Sequence, residues 1–255
     1  MAPIGLGAAQ LGSSGYDHAK DIFFKALDLE VNYFDNYHLH ALANLDDVDV
    51  RLGGPLEALV EAREVGKIRH IGVTGHTFPS VLVAALKRFK FDTFLVPLNI
   101  VEREPLAELI PLALEMKLGV TIMKPIATGL LPASLALKWL MNQPISVAVP
   151  GATTVAEMEQ NAMHGALDDH TLTTAEEAEV AKWALDLATD RCRICMECLP
   201  CPSNIEIPGT LGTDVMYNHY RTIGPAKFAE FPWEKSRVDD ESTIAKIDDH
   251  AACDS

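Results

Sequence analysis

Ile68-Arg-His-Ile-Gly-Val73, Pro79-Ser-Val-Leu-Val-Ala-Ala-Leu-Lys-Arg-Phe89 and Thr93-Phe-Leu-Val-Pro-Leu98 follow one another with only short breaks. The outer two runs are short and rich in β-branched and aromatic residues, as strands are. The middle run opens with proline and carries apolar residues at helical spacing. A strand, an amphipathic helix and a second strand at this spacing make a parallel βα unit. Working outward, the same alternation continues. Pro3 to Ala8 reads as a strand, Asp17 to Leu29 as a helix with Ile22, Phe23, Ala26 and Leu27 on one stripe, and Val31 to Phe34 as a strand. Leu56 to Val65 reads as a helix stopped by Gly66. Downstream come a helix over Pro105 to Lys117, a strand over Val120 to Met123, a helix over Pro132 to Met141, a strand over Ser146 to Val149 and a helix over Val155 to Ala166. A last helix opens on a Thr174-x-x-Glu177 capping box and carries Val180, Trp183, Ala184 and Leu187 as its apolar stripe.

Glycine, threonine and asparagine gather just after the strands, at Thr74-Gly75-His76, at Asn99 and at Pro150-Gly-Ala-Thr153. In a (β/α) barrel those are the C-terminal strand ends, where active sites sit. His76 has no partner histidine nearby and is read as a loop contact. Six strands are clear, near residues 5, 33, 70, 95, 121 and 147, with a seventh open at Tyr37 to Leu42. The expected fold is therefore α/β, built of parallel βα units, and about six strands fall short of the eight that close the usual barrel.

Composition narrows the partners. The chain has 255 residues, 48% hydrophobic and 22% charged, with a net charge of −15. That charge disfavours nucleic acid and anionic membrane surfaces. No apolar run reaches membrane-spanning length, and Met-Ala-Pro-Ile-Gly-Leu-Gly lacks the features of a signal peptide. Four of the five cysteines cluster, which fits a reducing compartment, so a cytoplasmic location is expected.

That cluster is Cys192-Arg-Ile-Cys195-Met-Glu-Cys198-Leu-Pro-Cys201-Pro202. Four soft thiolates within ten residues suit a [4Fe–4S] cluster; a four-cysteine zinc site and disulfides or free thiols are the other readings. The trailing Cys-Pro is similar to the ferredoxin cluster run, though that run places three residues before its last cysteine and this one two. The organisation expected is a barrel over residues 1–190, an iron–sulfur segment over 191–225 and an acidic tail over 226–255, partly disordered. Cys253 in that tail reads as an incidental thiol.

Taken in order, the pieces resemble an aldo/keto reductase of the subgroup with a C-terminal iron–sulfur motif. The matching segments are Ile4-Gly-Leu-Gly7, Val31-Asn-Tyr-Phe-Asp35, Tyr37-His-Leu-His40, Gly66 to His76, Pro97-Leu-Asn99, Met123-Lys-Pro125 with Gly129, and Val149-Pro-Gly151 through Asn161. The cysteine run, Ile205-Glu-Ile-Pro208 and Tyr217-Asn-His-Tyr220 also match. The resemblance implies a TIM-type barrel and hydride transfer between a nicotinamide cofactor and a small-molecule carbonyl or alcohol. It implies Asp35 and His40 as catalytic groups, and Thr74, Gly75 and Asn99 beside the nicotinamide carboxamide. It places Lys124, Pro125 and Gly129 on the loop passing the pyrophosphate. Gly151, Ala152, Thr153 and Asn161 complete the cofactor end, where the N–H groups opening a helix could hold a phosphate. The acidic Glu157 there favours NADH over NADPH.

One departure is large. The family's catalytic tyrosine and lysine are missing, because Asp35 and His40 stand five residues apart where further barrel units belong. At ~30 residues per unit, roughly 60 residues are absent between the second and fourth strands. Tyr37 shares strand parity with Asp35 and is the one nearby substitute, but it matches better the aromatic that precedes the histidine in the family strand. A remnant that holds a cluster without catalysis is thus a second expectation. An incomplete barrel would also leave sheet edges open to a second copy or a redox partner.

Overall fold

The computed structural model describes residues 4, 21–22, 24–26, 28–29, 31, 38–39, 42, 44–66, 68–76, 78–187, 198, 200–203 and 207. The chain divides into two units, Met1–Leu185 and Asp186–Ser255. In the first, five strands among the described residues form one parallel sheet: β1 (His38–Leu39), β2 (Gly72–Thr74), β3 (Thr93–Pro97), β4 (Gly119–Met123) and β5 (Val147–Val149). They lie in chain order, each beside the next. Helices separate them: α1 (Leu45–Arg51) and α2 (Gly54–Glu64) before β2, α3 (Pro79–Arg88) before β3, α4 (Leu109–Glu115) before β4 and α5 (Ala133–Met141) before β5. Then follow α6 (Val155–Gly165) and α7 (Thr174–Asp186). From β2 to α6 the alternation read from the sequence is the alternation found; the earlier strand and helix expectations fall largely outside the described residues.

Register explains why the strands read as continuous apolar runs. Thr74, Leu95, Thr121 and Val147 stand in line across β2 to β5, and Pro97, Met123 and Val149 form the next row. Leu95, Met123, Val147 and Val149 make one buried cluster on that face. On the opposite face Val73, Phe94, Val96, Ile122 and Ala148 are wholly buried. A parallel sheet covered on both sides needs apolar residues at both parities. Gly119 lies beside Thr93, where an added Cβ would come within 2.8 Å of the threonine methyl.

The chain start returns to the last strand. Ile4 forms a parallel bridge with Ala148 in β5. Lys25, helical like its neighbours 24 and 26, pairs with Glu159 of α6 at 2.7 Å. Ile4 thus lies beside β5, at the edge of the sheet opposite β1.

Several local expectations shift. The strand expected over Val31 to Phe34 begins with Val31 outside any strand, its N–H donating to the Ala26 carbonyl at 2.9 Å; residues 32–34 lie outside the described set. The single helix expected over Pro105 to Lys117 is instead a short 3-10 turn, Glu104–Leu106, followed by α4. Pro111 is the reason: it has no N–H to donate back, so the helix starts at Leu109 and leaves the proline in the first turn. The Thr174 capping box lies one residue earlier. The Thr173 hydroxyl accepts from Glu176 N at 3.2 Å, and the Glu176 carboxylate accepts from Thr173 N at 2.7 Å. The sequence holds both registers, and Lys138 of α5 decides between them by donating 2.8 Å bonds to both Glu176 oxygens. Lys138, with the Thr173 donors, pulls the Glu176 pKa down to about 2 from the ordinary 4.5. Its folded pKa is depressed, so this contribution to stability is present above about 4.5 and is lost as pH falls towards 2. Helix α1 was not foreseen, because only Val48 of its residues is buried and no apolar stripe shows. Its signal is the cap: Asn44 accepts from Asp47 N at 2.8 Å, with Asp46 and Asp47 in the first turn.

Candidate functional site at the strand ends

Because the strands are parallel, the loops after β2, β3, β4 and β5 leave the same edge of the sheet. They carry Thr74-Gly75-His76, Asn99 to Arg103, Lys124 to Gly129 and Gly151 to Thr154. The cofactor positions expected from the sequence are thus brought to one edge. Their chemistry is less open than the resemblance implies.

Thr74 ends β2 and is buried; its carbonyl accepts from Leu42 N at 2.9 Å. Gly75 donates to the Leu95 carbonyl at 3.2 Å. A Cβ at Gly75 would sit 3.0 Å from Leu82 of α3 and 3.3 Å from the Leu42 carbonyl, so the glycine permits that close packing. His76 follows it, half-buried.

Asn99 has no exposed surface, and its amide is fully used. Its Oδ1 accepts from Val101 N at 2.9 Å and Glu102 N at 3.0 Å. Its Nδ2 donates to the Glu102 carboxylate at 2.5 Å and to the Lys124 carbonyl at 3.1 Å. Two acceptors on one side and two donors on the other fix which atom is nitrogen. In this arrangement Asn99 has nothing left for a carboxamide.

The loop after β4 is unusual in its backbone. Lys124, Ala127 and Thr128 have positive φ at 52°, 47° and 59°, followed by Gly129 at 93°. Left-handed non-glycine residues are strained, and several together mark a loop held in shape by its surroundings. Pro125 and Ala127 are buried, Lys124 is half-buried, and Thr128 and Gly129 are exposed. Neither Ala127 nor Thr128 gave a sequence signal, since neither is a residue type associated with this conformation.

After β5, Ala152 is buried and the Gly151 carbonyl accepts from the buried Asn161 side chain at 3.4 Å. Asn161 thus serves the loop from inside the helix. The N-terminus of α6 is closed by its own side chains. Glu157 accepts from Thr153 N at 2.6 Å, the Thr153 hydroxyl at 2.9 Å and Thr154 N at 3.3 Å, while Thr154 accepts from Glu157 N at 3.1 Å. These are the N–H groups a phosphate would use, and a carboxylate of the same chain holds them.

Sequence reading missed Glu102, a buried carboxylate whose one signal is its place three residues after Asn99. It also missed Arg103, which donates to the Ile100 carbonyl at 2.7 Å and lies 5.1 Å over the Trp139 ring. Burial lowers the Arg103 pKa.

The remaining expected positions are less informative. Asp35 and His40 lie outside the described residues, as do Cys192 and Cys195. Cys198 is exposed and Cys201 half-buried, and neither is in a disulfide. No group of three or more His, Cys, Asp or Glu side chains poised for a metal occurs among the described residues, which include only two of the four cysteines. No described helix is long and apolar enough to cross a membrane.

A parallel α/β sheet with its loops on one edge can be compared with known proteins at this point. Residues 24–134 match the aldo/keto reductase family. Among solved structures, the holo form of the aldo-keto reductase AKR11C1 from Bacillus halodurans superposes at a TM-score of 0.56 with 19% identity, covering 71% of this chain and 91% of that one. PA4992 of Pseudomonas aeruginosa, provisionally described as an aldo-keto reductase, gives 0.52 with 16% identity over 64% and 89%. A Klebsiella pneumoniae aldo/keto reductase solved with NADP and acetate gives 0.47 with 21% identity over 71% and 70%. No curated protein matches the chain. At these identities the structural likeness is one of fold. The chain is thus similar to aldo/keto reductases over residues 24–134 of its sequence and in its fold.

Proposed function

We propose that this chain is a nicotinamide-dependent oxidoreductase acting on a small-molecule carbonyl or alcohol, built on a barrel of about six βα units, with a C-terminal [4Fe–4S] cluster that transfers electrons or stabilises the fold. The observation that carries the reading is the convergence of the loops after β2, β3, β4 and β5 on one sheet edge. A bound nicotinamide would supply or accept the hydride there. The Lys124 to Gly129 loop fits its pyrophosphate end: it is shaped in advance and presents Thr128 and Gly129 to solvent. Asn99 does not fit as a carboxamide contact, so Thr74, Gly75 and His76 are the neighbours left for that end. His40 is proposed to orient the substrate carbonyl, with Asp35 standing where the family aspartate supports the proton donor.

Glu157 supports NADH over NADPH. A 2′-phosphate at the α6 N-terminus would have to displace a carboxylate and then face its charge. Replacing Glu157 by serine keeps a capping hydroxyl and removes the competitor. NADPH affinity is expected to rise about tenfold, a shift of ~1.4 kcal/mol, with NADH affinity little changed. Unchanged NADPH binding, read by titration of tryptophan fluorescence, would show that the phosphate does not reach this helix.

Cys192, Cys195, Cys198 and Cys201 are proposed as the four cluster ligands; the exposure of Cys198 and the half-burial of Cys201 leave both thiols accessible for assembly. Anaerobically purified protein is expected to hold about four iron and four sulfide per chain, with loss of the visible cluster absorption in Cys198→Ser. Stoichiometric zinc without iron would replace this reading.

A second reading is favoured by the internal use of Asn99 and Glu157 and by the missing tyrosine and lysine: a cluster-binding protein that keeps the reductase scaffold without turnover. NADH oxidation against a panel of aldehydes and quinones separates the two. No turnover from protein with an intact cluster spectrum selects the second.

A further inference from the structure

The amide of Asn99 joins two loops that the chain keeps 25 residues apart. On its own loop it gathers Val101 N, Glu102 N and the Glu102 carboxylate. The backbone adds a further tie, Asn99 N to the Glu102 carbonyl at 3.2 Å. On the neighbouring loop it donates to the carbonyl of Lys124, the first left-handed residue after β4. Asn99 has no exposed surface and Glu102 only 6%. A buried amide with every donor and acceptor used is a rigid connector, because breaking any one bond leaves a buried polar group unsatisfied.

We propose that Asn99 and Glu102 are positioning residues that act through Lys124. Together they fix the turn at Lys124 and so set the shape in which the Lys124 to Gly129 loop receives the dinucleotide. The assignment rests on the dinucleotide reading above, and it replaces a direct contact from Asn99 with an indirect one. Lys124 is where the strained run begins, and its carbonyl orientation sets where the next peptide points. Ala127 N donates back to the same Lys124 carbonyl at 3.0 Å. One oxygen therefore links the Asn99 amide to the turn that follows. The Glu102 carboxylate holds the amide in the orientation that reaches this oxygen.

Asn99→Asp tests the connection with little change in volume. It keeps the acceptor for the Val101 and Glu102 N–H groups, removes the donor to Lys124 and sets a second carboxylate against Glu102. Hydrogen exchange of the peptide spanning residues 124 to 131 is expected to speed up at least tenfold, with peptides from α2 and α6 unchanged. Affinity for NADH is expected to fall about tenfold. In Asn99→Asp/Glu102→Gln the like charges are gone but Lys124 still lacks its donor. This variant should recover thermal stability while its weakened binding persists. That split is the signature of positioning, since a purely structural defect would recover both together. Unchanged exchange in Asn99→Asp overturns the connection. Faster exchange with unchanged NADH affinity overturns the positioning role. If the wild-type chain binds no NADH, the dinucleotide reading and the ligand half of this proposal fall together, while the exchange comparison still decides whether Asn99 holds the loop.

Discussion

Phe94→Ala is expected to lower the free energy of unfolding by about 3–5 kcal/mol, as large-to-small changes of buried aromatics do. Phe94 lies on β3, the middle strand of the five, paired to Val73 on one side and Val120 on the other. Its side chain has no exposed surface. The neighbours at its level on that face, Val73 and Val120, are held by the sheet and cannot close over the gap, so a cavity remains. Its carbonyl also accepts the buried Thr121 hydroxyl at 2.5 Å, so a shift of this strand would disturb β4 as well. Domains of this size are stable by about 5–15 kcal/mol, and the variant would lose roughly a fifth of that or more. Urea unfolding followed by far-UV circular dichroism should show a lower midpoint with an unchanged slope. A loss below about 1 kcal/mol would mean that the two faces of β3 are not packed as described.

The second large effect is expected where the chain start meets its last helices. Gly165 closes α6, and a Cβ there would fall on the Ile4 side chain. Gly165→Ala is expected to cost about 1–3 kcal/mol through overpacking, although alanine is otherwise the better helix former. Ile4→Ala alone is expected to cost about 2–5 kcal/mol, because Ile4 is 1% exposed. The double variant should cost less than the sum, since removing the isoleucine branches makes room for the new methyl group. Strict additivity by urea titration would show that Ile4 does not lie against Gly165, and the bridge from Ile4 to Ala148 of β5 would lose its support.

The periodicities were enough to place β2, α3, β3, β4, α5, β5 and α6 within a few residues, because each hides an apolar face that must recur at period two or 3.6. Helix α1 escaped because one buried valine makes no stripe. Between Leu45 and Arg51 only the polar cap announces the helix. The break before α4 follows from a single imide nitrogen at Pro111, which a reading by hydrophobic pattern passes over. The capping box slipped by one residue because Thr173 and Thr174 are each followed at three residues by a glutamate. Lys138, far away in the chain, selects the first.

The candidate site divides the same way. Sequence alone determined which residues stand after the strands, and parallel pairing is enough to bring them to one edge. It also determined the four cysteines and their spacing. Tertiary structure decided what those residues are free to do. Asn99 is spent on Glu102 and Lys124, and Glu157 sits on the N–H groups that seemed open to phosphate. The physical reason is the range of the interactions. Strand, helix and cap are written in contacts between near neighbours. Whether a polar group is available to a ligand depends on which distant backbone or side chain has already taken its hydrogen bonds.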